Sequence, residues 1–424
     1  MPMSKSFEER LFPILEQVAA HYRTPFHIYD EQGIRETGHR LLKAFSGVRR
    51  FREYYAVKAL PNPRILQIMR EMGFGFDCSS IPELILSRKV GARGEDIMFT
   101  SNNTTPEEFR VALKDGGSII NLDDITLIPK VPEMPKLICF RYNPGPRRSG
   151  NPIIGRPEEA KYGVSDAQIV DAYRRAKQRG ARRFGIHTML ISNELDYRYM
   201  VETTKMLLDL AVRISGELGI SFEFINIGGG LGIPYHPEER PLDLESLGQE
   251  ITALLKGYER DYGLAPALYM ESGRYMTGPH GVLVTRAINR KEIYRKYIGV
   301  DACMSALMRP AIYGAYHHIT VLGKEHEREK EMVDVVGSLC ENNDKFAVQR
   351  ALPRIEEGDL LVIHDTGAHG LAMGFNYNGR LRPKELLLRS DGSVELIRRE
   401  ETISDYFATL NYKPDVFSPQ SGRR

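Results

Sequence analysis

The feature that most constrains the fold is an alternation of short apolar runs and longer helical patterns between about residues 51 and 275. This alternation predicts parallel strands joined by helices. The predicted strands are 51–57, 75–79, 97–101, 118–122, 137–142, 184–191, 222–227 and 268–271. Eight strands over this length are typical of an α/β (β/α)8 TIM-like barrel, in which functional side chains follow the carboxyl ends of the strands.

A second pattern begins after Gly278, where helical periods become rare. Strand-like stretches occur at 282–288, 297–302, 311–321, 332–336, 359–364 and 394–398. We therefore predict a barrel over residues 36–280 and a mostly β domain over 281–424, with residues 1–35 packing on the β domain. A segment rich in Pro, Gly and Arg at 144–157 predicts an exposed loop.

Composition excludes several classes of protein. The 58 basic and 56 acidic residues give a net charge of +2, which provides no general reason to expect nucleic acid or an anionic membrane as partner. No apolar run approaches the roughly 18 residues of a membrane span, and residues 1–22 resemble an amphipathic helix rather than a secretion signal. The 4 cysteines form no C-x-x-C motif, so we expect neither a disulfide scaffold nor a metal site, and a cytoplasmic location.

A lysine follows the first predicted barrel strand. Lys58 lies near the end of the run Tyr54-Tyr55-Ala56-Val57-Lys58-Ala59, where the pattern predicts another apolar residue. At such a strand end we expect the amine to be partly desolvated, which favours its neutral form and attack on a carbonyl to give a Schiff base. A surface lysine at a strand end is the alternative.

A glycine-rich segment, Gly228-Gly229-Gly230-Leu231-Gly232, follows the strand predicted at 222–227. Its backbone N–H groups can approach an anion without obstruction from side chains, and a phosphate would suit them. A tight turn is the alternative, since the segment lacks the Lys-Ser/Thr pair of a P-loop.

Three further positions offer reactive groups. Glu271-Ser272-Gly273-Arg274 follows the last predicted barrel strand, and its carboxylate could keep a pyridine nitrogen protonated or form a structural ion pair. His187 lies within the strand predicted at 184–191, where a lone histidine is more often part of the core. Cys340-Glu341 follows a strand-like run, although a free cysteine is usually buried packing.

Taken in order, these positions form part of a longer set. The set is Tyr55-Ala56-Val57-Lys58-Ala59, His187, Gly228-Gly229-Gly230, Glu271-x-Gly273-Arg274, Arg309-Pro310-x-x-Tyr313, Cys340-Glu341 and Tyr377-Asn378. It resembles the alanine-racemase-fold (fold type III) decarboxylases that depend on pyridoxal 5'-phosphate, most of all the diaminopimelate decarboxylases. The resemblance implies a homodimer with shared active sites and a barrel followed by a β domain.

The resemblance also implies roles for the cofactor-binding positions. Lys58 would hold pyridoxal phosphate covalently, His187 would stack on the pyridine face, and Glu271 would pair with the ring nitrogen. The phosphate would lie on Gly228, Gly229 and Gly230, close to Gly273, with Arg274 between the phosphate and the substrate.

For the substrate, the resemblance implies contacts from both subunits. Arg309, Tyr313 and Tyr377 match substrate or cofactor contacts. Cys340 and Glu341 would come from the partner subunit, the thiol as proton donor and the carboxylate as a contact for the distal amine.

These residues favour meso-diaminopimelate, converted to L-lysine and carbon dioxide. Its second carboxylate suits a bidentate pair with Arg309, and its second amine suits Glu341. Alternative substrates are ornithine, lysine, or a siderophore or antibiotic precursor such as a citryl-linked diamino acid. An amino-acid racemase would need a second base opposite Lys58, where this chain has Cys340-Glu341, and a non-catalytic binding protein would be expected to lose Lys58 or Cys340.

Departures from the family pattern indicate a divergent subgroup. Because His187-Thr188-Met189-Leu190 replaces His-x-Gly-Ser, Ser192 and Asn193 are left as displaced candidates for the phosphate contact, and the sequence does not show which residue replaces the usual Ser. The other departures are Leu60 for Asn, Ser80-Ile81-Pro82-Glu83 for Ser-Gly-Gly-Glu, Glu271-Ser272-Gly273-Arg274 for Glu-Pro-Gly-Arg, and Gly367-Ala368-His369-Gly370 for Gly-Ala-Tyr-Gly.

Overall fold

The computed structural model describes residues 3–114, 116–150 and 155–411. Part of the loop predicted at 144–157 (residues 151–154) and the end of the predicted second domain (412–424) lie outside the described residues.

Eighteen strands and eleven α-helices are present in the described chain. The strands are β1 (Phe26–Asp30), β2 (Phe51–Ala56), β3 (Gly75–Cys78), β4 (Ile97–Ser101), β5 (Ile119–Leu122), β6 (Leu137–Asn143), β7 (Val164–Ser165), β8 (Arg183–His187), β9 (Phe222–Asn226), β10 (Ala267–Met270), β11 (Gly281–Glu292), β12 (Lys296–Val300), β13 (Ile319–Val321), β14 (Glu331–Val336), β15 (Lys345–Leu352), β16 (Leu360–Ile363), β17 (Lys384–Leu388) and β18 (Val394–Arg398). The helices are α1 (Lys5–Tyr22), α2 (Glu31–Ala44), α3 (Pro63–Glu71), α4 (Ile81–Lys89), α5 (Pro106–Ala112), α6 (Asp166–Gln178), α7 (Tyr197–Leu218), α8 (Leu244–Tyr262), α9 (Arg274–Thr277), α10 (Arg309–Tyr313) and α11 (Ile403–Phe407).

Eight parallel strands form the predicted closed barrel. They follow one another around the ring in the order β2, β3, β4, β5, β6, β8, β9 and β10. The pairing of Met270 with Glu53 joins β10 back to β2, so the ring closes. The two-residue strand β7 pairs with β6 outside this ring. The barrel and the mostly β second domain are thus confirmed.

Side chains from opposite sides of the ring meet in one buried cluster, which includes Tyr54 of β2, Met98 of β4, Leu137 of β6 and Phe224 of β9. Non-adjacent strands can share such a cluster only in the barrel interior. Gly185 of β8 makes room for it, because a Cβ there would lie 2.0 Å from the Phe224 ring. The packed interior leaves the carboxyl ends of the strands as the place for a site.

The second sheet contains strands from both ends of the chain. Its main path runs β15, β14, β12, β11, β1, β17 and β18, and β16 pairs with both β11 and β13. Strand β1 lies between β11, to which it is antiparallel, and β17, to which it is parallel. Helix α1 covers this part of the sheet, since Phe7, Leu11 and Leu15 pack in one cluster with Phe26 and Ile28.

The chain therefore starts in the second sheet, enters the barrel and returns. The barrel helices begin with α2 at Glu31, five residues before the predicted boundary at 36. Helix α2 packs closely on α8, where a Cβ at Gly248 would lie 2.1 Å from the Ala44 carbonyl oxygen.

One strand prediction is wrong. The run at 311–321 was expected to be extended, but it begins within helix α10 and only Ile319–Val321 forms a strand. Pro310 in the first helical turn and Gly314, left-handed at φ +60°, delimit this short helix. The strand predicted at 184–191 ends at His187, and β1, β15 and β17 have no counterpart among the predicted strands.

Within the described ranges, none of the helices has the length and apolar character required to cross a membrane.

Candidate active site

The predicted reactive residues meet at the carboxyl ends of the barrel strands. His187 is the last residue of β8, and Glu271 directly follows β10. Lys58 lies in a 3-10 turn, Val57–Ala59, immediately after β2. The barrel thus brings together three side chains that are far apart in the sequence.

A buried hydrogen-bond network connects β8, β9 and β10. His187 Nε2 lies 3.2 Å from Glu271 Oε2, and Asn226 Nδ2 donates to Glu271 Oε1 at 2.8 Å. Asn226 Oδ1 in turn accepts the N–H of Gly228 at 2.9 Å. His187 Nδ1 is buried without a hydrogen-bond partner among the described residues.

This network keeps Glu271 ionised. Burial alone would raise the pKa of Glu271, but the nearby His187 and Lys58, together with the Asn226 hydrogen bond, lower it below the usual range. An ionised, oriented carboxylate can accept a hydrogen bond from a protonated ring nitrogen.

A second carboxyl group, which the sequence analysis missed, lies next to this network. Asp77 on β3 is 5% exposed, and its Oδ1 has no hydrogen-bond partner in the described chain. Burial and the charge of Glu271 raise the pKa of Asp77 well above its usual value, although Lys58 opposes the shift. The two carboxyls therefore differ in charge, with Asp77 protonated and Glu271 ionised.

Lys58 is exposed rather than partly desolvated as expected. The 3-10 turn after β2 carries its side chain out of the strand packing. Its charge still acts on Glu271, Asp77 and His369, which places the amine at the site. The backbone N–H of His369 donates to the Ala59 carbonyl at 2.9 Å and joins the second domain to this turn.

The glycine-rich segment packs too closely against its neighbours for side chains. A Cβ at Gly228 would lie 2.5 Å from the Thr188 carbonyl oxygen, and one at Gly229 would lie 2.5 Å from the Glu271 carbonyl oxygen. Gly230 has φ +104°, and a Cβ there would lie 2.7 Å from the carbonyl oxygen of Ile191. The segment is therefore a turn that requires glycine, and its backbone N–H groups carry no side chains that would obstruct an anion.

The two candidate phosphate contacts, Ser192 and Asn193, have different hydrogen-bond partners. Ser192 Oγ accepts a hydrogen bond from Arg274 Nη2 at 3.2 Å. Asn193 Oδ1 instead accepts the N–H of Ile233 at 2.9 Å and holds the glycine-rich segment in place. Ser192 therefore lies beside a buried guanidinium, whereas Asn193 is bonded to the backbone that follows the glycines.

Two buried arginines flank Tyr235. Arg274 and Arg309 are 8% and 3% exposed, and neither forms an ion pair with any residue that the structure describes. Arg274 Nη1 donates to the Tyr235 hydroxyl at 2.6 Å. The Arg309 guanidinium lies 4.7 Å from the centre of the Tyr235 ring. Burying unpaired charge is costly, so this pair of cations is suited to anionic groups of a ligand.

A neutral histidine holds Arg309 in place. Arg309 Nη1 donates to His317 Nε2 at 2.9 Å, while His317 Nδ1 donates to the His364 carbonyl at 2.7 Å. Burial and the charge of Arg309 lower the pKa of His317 well below its usual value, which leaves its Nε2 free to accept.

The remaining predicted residues lie on the surface of the second domain. Tyr313 and Tyr377 are 47% and 53% exposed, and Cys340 is an exposed free thiol. The Cys340 N–H donates to Asn378 Oδ1 at 2.7 Å, and Glu341 Oε1 accepts the N–H of Asn343 in the same turn. In the described chain, no hydrogen bond joins Cys340 or Glu341 to the His187–Glu271 network.

Sequence reasoning missed several residues of the site. A polar residue at a strand end was a usable signal for Asp77 and Asn226, but Tyr235 and His317 acquire their roles only through contact with the arginines. His369 was noted only as a departure from the family pattern. Burial and the charges of Arg274 and Lys58 lower its pKa well below the usual value, so it faces the same cations.

Comparison with known proteins identifies similar chains. Residues 31–278 match the family model for the pyridoxal binding domain of pyridoxal-dependent decarboxylases. Protein TabA of Pseudomonas amygdali pv. tabaci is 48% identical over 421 residues, 99% of each chain. The diaminopimelate decarboxylase of Methanothermobacter thermautotrophicus is 40% identical over 402 residues, 93% of each chain. The crystal structure of the M. jannaschii diaminopimelate decarboxylase with L-lysine has a TM-score of 0.86 at 30% identity, covering 95% of this chain and 94% of that one.

Proposed function

The chain belongs to the pyridoxal-dependent decarboxylases of the diaminopimelate decarboxylase family, and on this basis we propose that its substrate is meso-diaminopimelate, which it converts to L-lysine and carbon dioxide. As a member it is a carboxy-lyase that uses pyridoxal 5'-phosphate and acts on an amino acid. The identity of that amino acid, the residue roles and the homodimer are the proposal.

The residues present suit the cofactor. Gly229 and Gly230 offer backbone N–H groups on a turn that side chains cannot enter, while the Gly228 N–H is held by Asn226 Oδ1. Arg274 supplies a buried guanidinium without a carboxylate partner in the described chain, beside Ser192. His187 Nδ1 is a buried polar atom without a partner in that same part of the chain. We assign the phosphate to the glycines, Arg274 and Ser192, and the pyridine ring to His187.

When bound, pyridoxal phosphate supplies an electron sink, which accepts the electron pair left on Cα when carbon dioxide departs. Lys58 would hold the cofactor covalently through its side-chain amine, which is exposed and can be reached by an aldehyde. Glu271, ionised through its buried contacts with His187 and Asn226, holds a proton on the pyridine nitrogen. Cys340 of a second copy of the chain delivers the proton to Cα.

Arg309 carries the proposal for the substrate. Its buried guanidinium is held by neutral His317 and lies over the Tyr235 ring, and among the described residues it forms no direct ion pair with a carboxylate. A substrate carboxylate can form a bidentate pair there, whereas a monocarboxylic diamine precursor such as ornithine has no second carboxylate to offer. Arg309 therefore favours a dicarboxylic diamino acid.

A homodimer completes the site in this proposal. Cys340, Tyr377 and Tyr313 are exposed on the second domain, where a second subunit can cover them. We assign the contact with the distal amine to Glu341 of that subunit. Since four widely spaced cysteines without a C-x-x-C motif suit a reducing compartment, we place the enzyme in the cytoplasm.

A related diamino acid is the second candidate substrate. The 48% identity to Protein TabA exceeds the 40% identity to the M. thermautotrophicus diaminopimelate decarboxylase. Leu60 and His369 also depart from the family pattern near Lys58. The same fold and cofactor could therefore act on an amino acid whose side chain ends in a different group.

An assay of carbon dioxide release tests both candidates. The substrates are meso-diaminopimelate, lysine, ornithine, arginine and a citryl-linked diamino acid. We expect the highest kcat/KM for meso-diaminopimelate. In the Arg309→Ala variant, kcat/KM should fall about a hundredfold for meso-diaminopimelate but only a few fold for lysine. Only meso-diaminopimelate has a second carboxylate that would lose its charge-assisted pair with Arg309. Equal losses on both substrates, or a higher kcat/KM for another compound, would contradict the assignment.

A further inference from the structure

The turn after β10 supplies two groups of the site within four residues. Glu271 and Arg274 are separated only by Ser272 and Gly273, and all four are buried. Gly273 packs so closely on the β2 end that a Cβ would lie 2.7 Å from the Ala59 Cβ. A shift of this turn would therefore move Glu271 and Arg274 together.

A buried carboxyl group holds this turn. Glu53 of β2 is 1% exposed, and its Oε1 accepts the backbone N–H of Ser272 in a short hydrogen bond. Met270, the register partner of Glu53, is the last residue of β10, so the Glu53 side chain reaches two residues beyond it to the turn. The bond thus connects the start of the turn to the neighbouring strand.

The same carboxyl group has little other stabilisation. Glu53 Oε2 and the Ser272 hydroxyl are both buried without a partner among the described residues. No described cation lies beside the carboxyl. Burial, reinforced by the charge of Glu271, raises the pKa of Glu53 to about 8, so the group carries a proton at neutral pH. A neutral acid costs less to bury than a carboxylate and still accepts the Ser272 N–H.

We propose that Glu53 is a positioning residue whose buried carboxyl group fixes the turn from Glu271 to Arg274 by accepting the Ser272 N–H. It touches neither cofactor nor substrate. It acts through Glu271 and Arg274, so this inference rests on the roles proposed for those two residues.

The identity of residue 272 explains why an acceptor is needed. The family pattern at this turn is Glu-Pro-Gly-Arg, and proline has no N–H to satisfy. Ser272 introduces a buried N–H, which costs free energy unless a partner accepts it. Glu53 on the adjacent strand provides that partner. The two residues therefore form a matched pair in this chain.

The first test compares two variants of the full-length enzyme. Glu53→Gln keeps a neutral acceptor of the same shape, whereas Glu53→Leu removes the acceptor. We expect Glu53→Leu to weaken pyridoxal phosphate binding by about tenfold, measured by absorbance titration well below the unfolding temperature, and to lower kcat with little change in KM. Glu53→Gln should stay within about threefold of the wild type in both measurements. Wild-type cofactor affinity in Glu53→Leu, or equal losses in both variants, would overturn the proposal.

The second test removes the donor. Ser272→Pro alone leaves Glu53 buried without its partner, whereas Glu53→Leu with Ser272→Pro removes both groups. We expect the double variant to bind pyridoxal phosphate more tightly than Glu53→Leu alone, a non-additive result typical of groups in contact. Ser272→Ala keeps the N–H and should resemble the wild type. Additive losses in the double variant would overturn the pairing.

These measurements also separate this inference from the proposed substrate. Cofactor affinity and the unfolding midpoint of the cofactor-free protein do not depend on which amino acid is decarboxylated. If meso-diaminopimelate proves inactive while the Glu53 variants behave as expected, the substrate assignment fails and the positioning role stands.

Discussion

At the scale of single residues, the site depends on buried groups whose charge is set by their neighbours. Glu271 is held ionised by His187 and Asn226, while Asp77 nearby is held neutral. His317 is kept neutral beside Arg309 and accepts its hydrogen bond. The neighbours of each of these three groups therefore favour one protonation state. A substitution that changes the charge of one group tests the role of that group alone.

Replacing Glu271 by glutamine should affect turnover more than cofactor binding. The amide can still occupy the position beside His187 and Asn226, but it carries no charge to keep a pyridine nitrogen protonated. We expect kcat to fall by about a hundredfold or more, with the pyridoxal phosphate dissociation constant within about tenfold of the wild type. Steady-state kinetics and cofactor titration measure the two effects. Unchanged kcat would exclude the assigned role.

Glu53 should also make stability depend on pH. Its pKa lies at about 8 in the folded protein against an ordinary 4.5. Between pH 4.5 and about pH 8, Glu53 holds a proton in the folded protein that it has lost in the unfolded chain. The stability that this proton contributes is therefore complete below pH 4.5 and is lost as the pH rises to about 8. We expect wild-type stability to fall relative to Glu53→Gln between about pH 5 and pH 8. Urea unfolding across this pH range measures the free energy of unfolding of both proteins. The same dependence on pH in the wild type and in Glu53→Gln would contradict the raised pKa of Glu53.

The sequence could locate Lys58, His187 and Glu271 because each follows a recognisable strand. It could not assign roles to Glu53 or His317, whose partners lie more than 40 residues away or on another element. The expected burial of Lys58 failed for a local reason, since a 3-10 turn after the strand carries the side chain into the open.

At the scale of elements, the site is built where tight turns leave the barrel strands. The glycine-rich segment after β9 packs on the carbonyl groups of Thr188 and Glu271. Barrel strands were predictable because their apolar runs are short and regularly separated. Strand β1 was not predicted, because its five residues lie between two helices and both of its partner strands are distant in the sequence. The apolar residues at 311–321 resemble a strand, but Pro310 and Gly314 set the start and end of the short helix α10 within that run.

Adding one methyl group to the glycine-rich segment should damage cofactor binding. In Gly229→Ala the Cβ would lie 2.5 Å from the Glu271 carbonyl oxygen, so the turn carrying Glu271 must move. We expect at least about a tenfold loss of pyridoxal phosphate affinity by titration. Gly257→Ala is the control, since no atom lies within 4 Å of its Cβ in helix α8. That variant should keep cofactor affinity and gain about 0.5–1 kcal/mol of stability. Equal behaviour of the two variants would contradict the prediction.

At the scale of the whole molecule, two domains of one chain enclose the site and a second copy is proposed to complete it. His369 of the second domain donates its N–H to the turn that carries Lys58, so the domains meet at the reactive amine. Cys340 and Tyr377 lie on the outer surface instead. This distribution suggests that activity depends on subunit association.

Mixing two inactive variants tests the shared site. Lys58→Ala removes the cofactor linkage and Cys340→Ala removes the proposed proton donor, so a heterodimer of the two has one site with both residues intact. After dissociation and reassociation, we expect about a quarter of wild-type activity, because about half of the random dimers are mixed and each has one working site. The control is each variant carried through the same treatment alone. If the mixture is no more active than these controls, the two residues belong to one subunit's site.

Strand β1 lies in the middle of the second sheet, yet it is synthesised before both of its neighbours. Strand β11 is made only after the whole barrel, and strand β17 is made later still. The nascent chain must therefore keep an early apolar segment from aggregating while the barrel closes. The pairing of β1 can therefore be completed only after the barrel and the later strands have been synthesised.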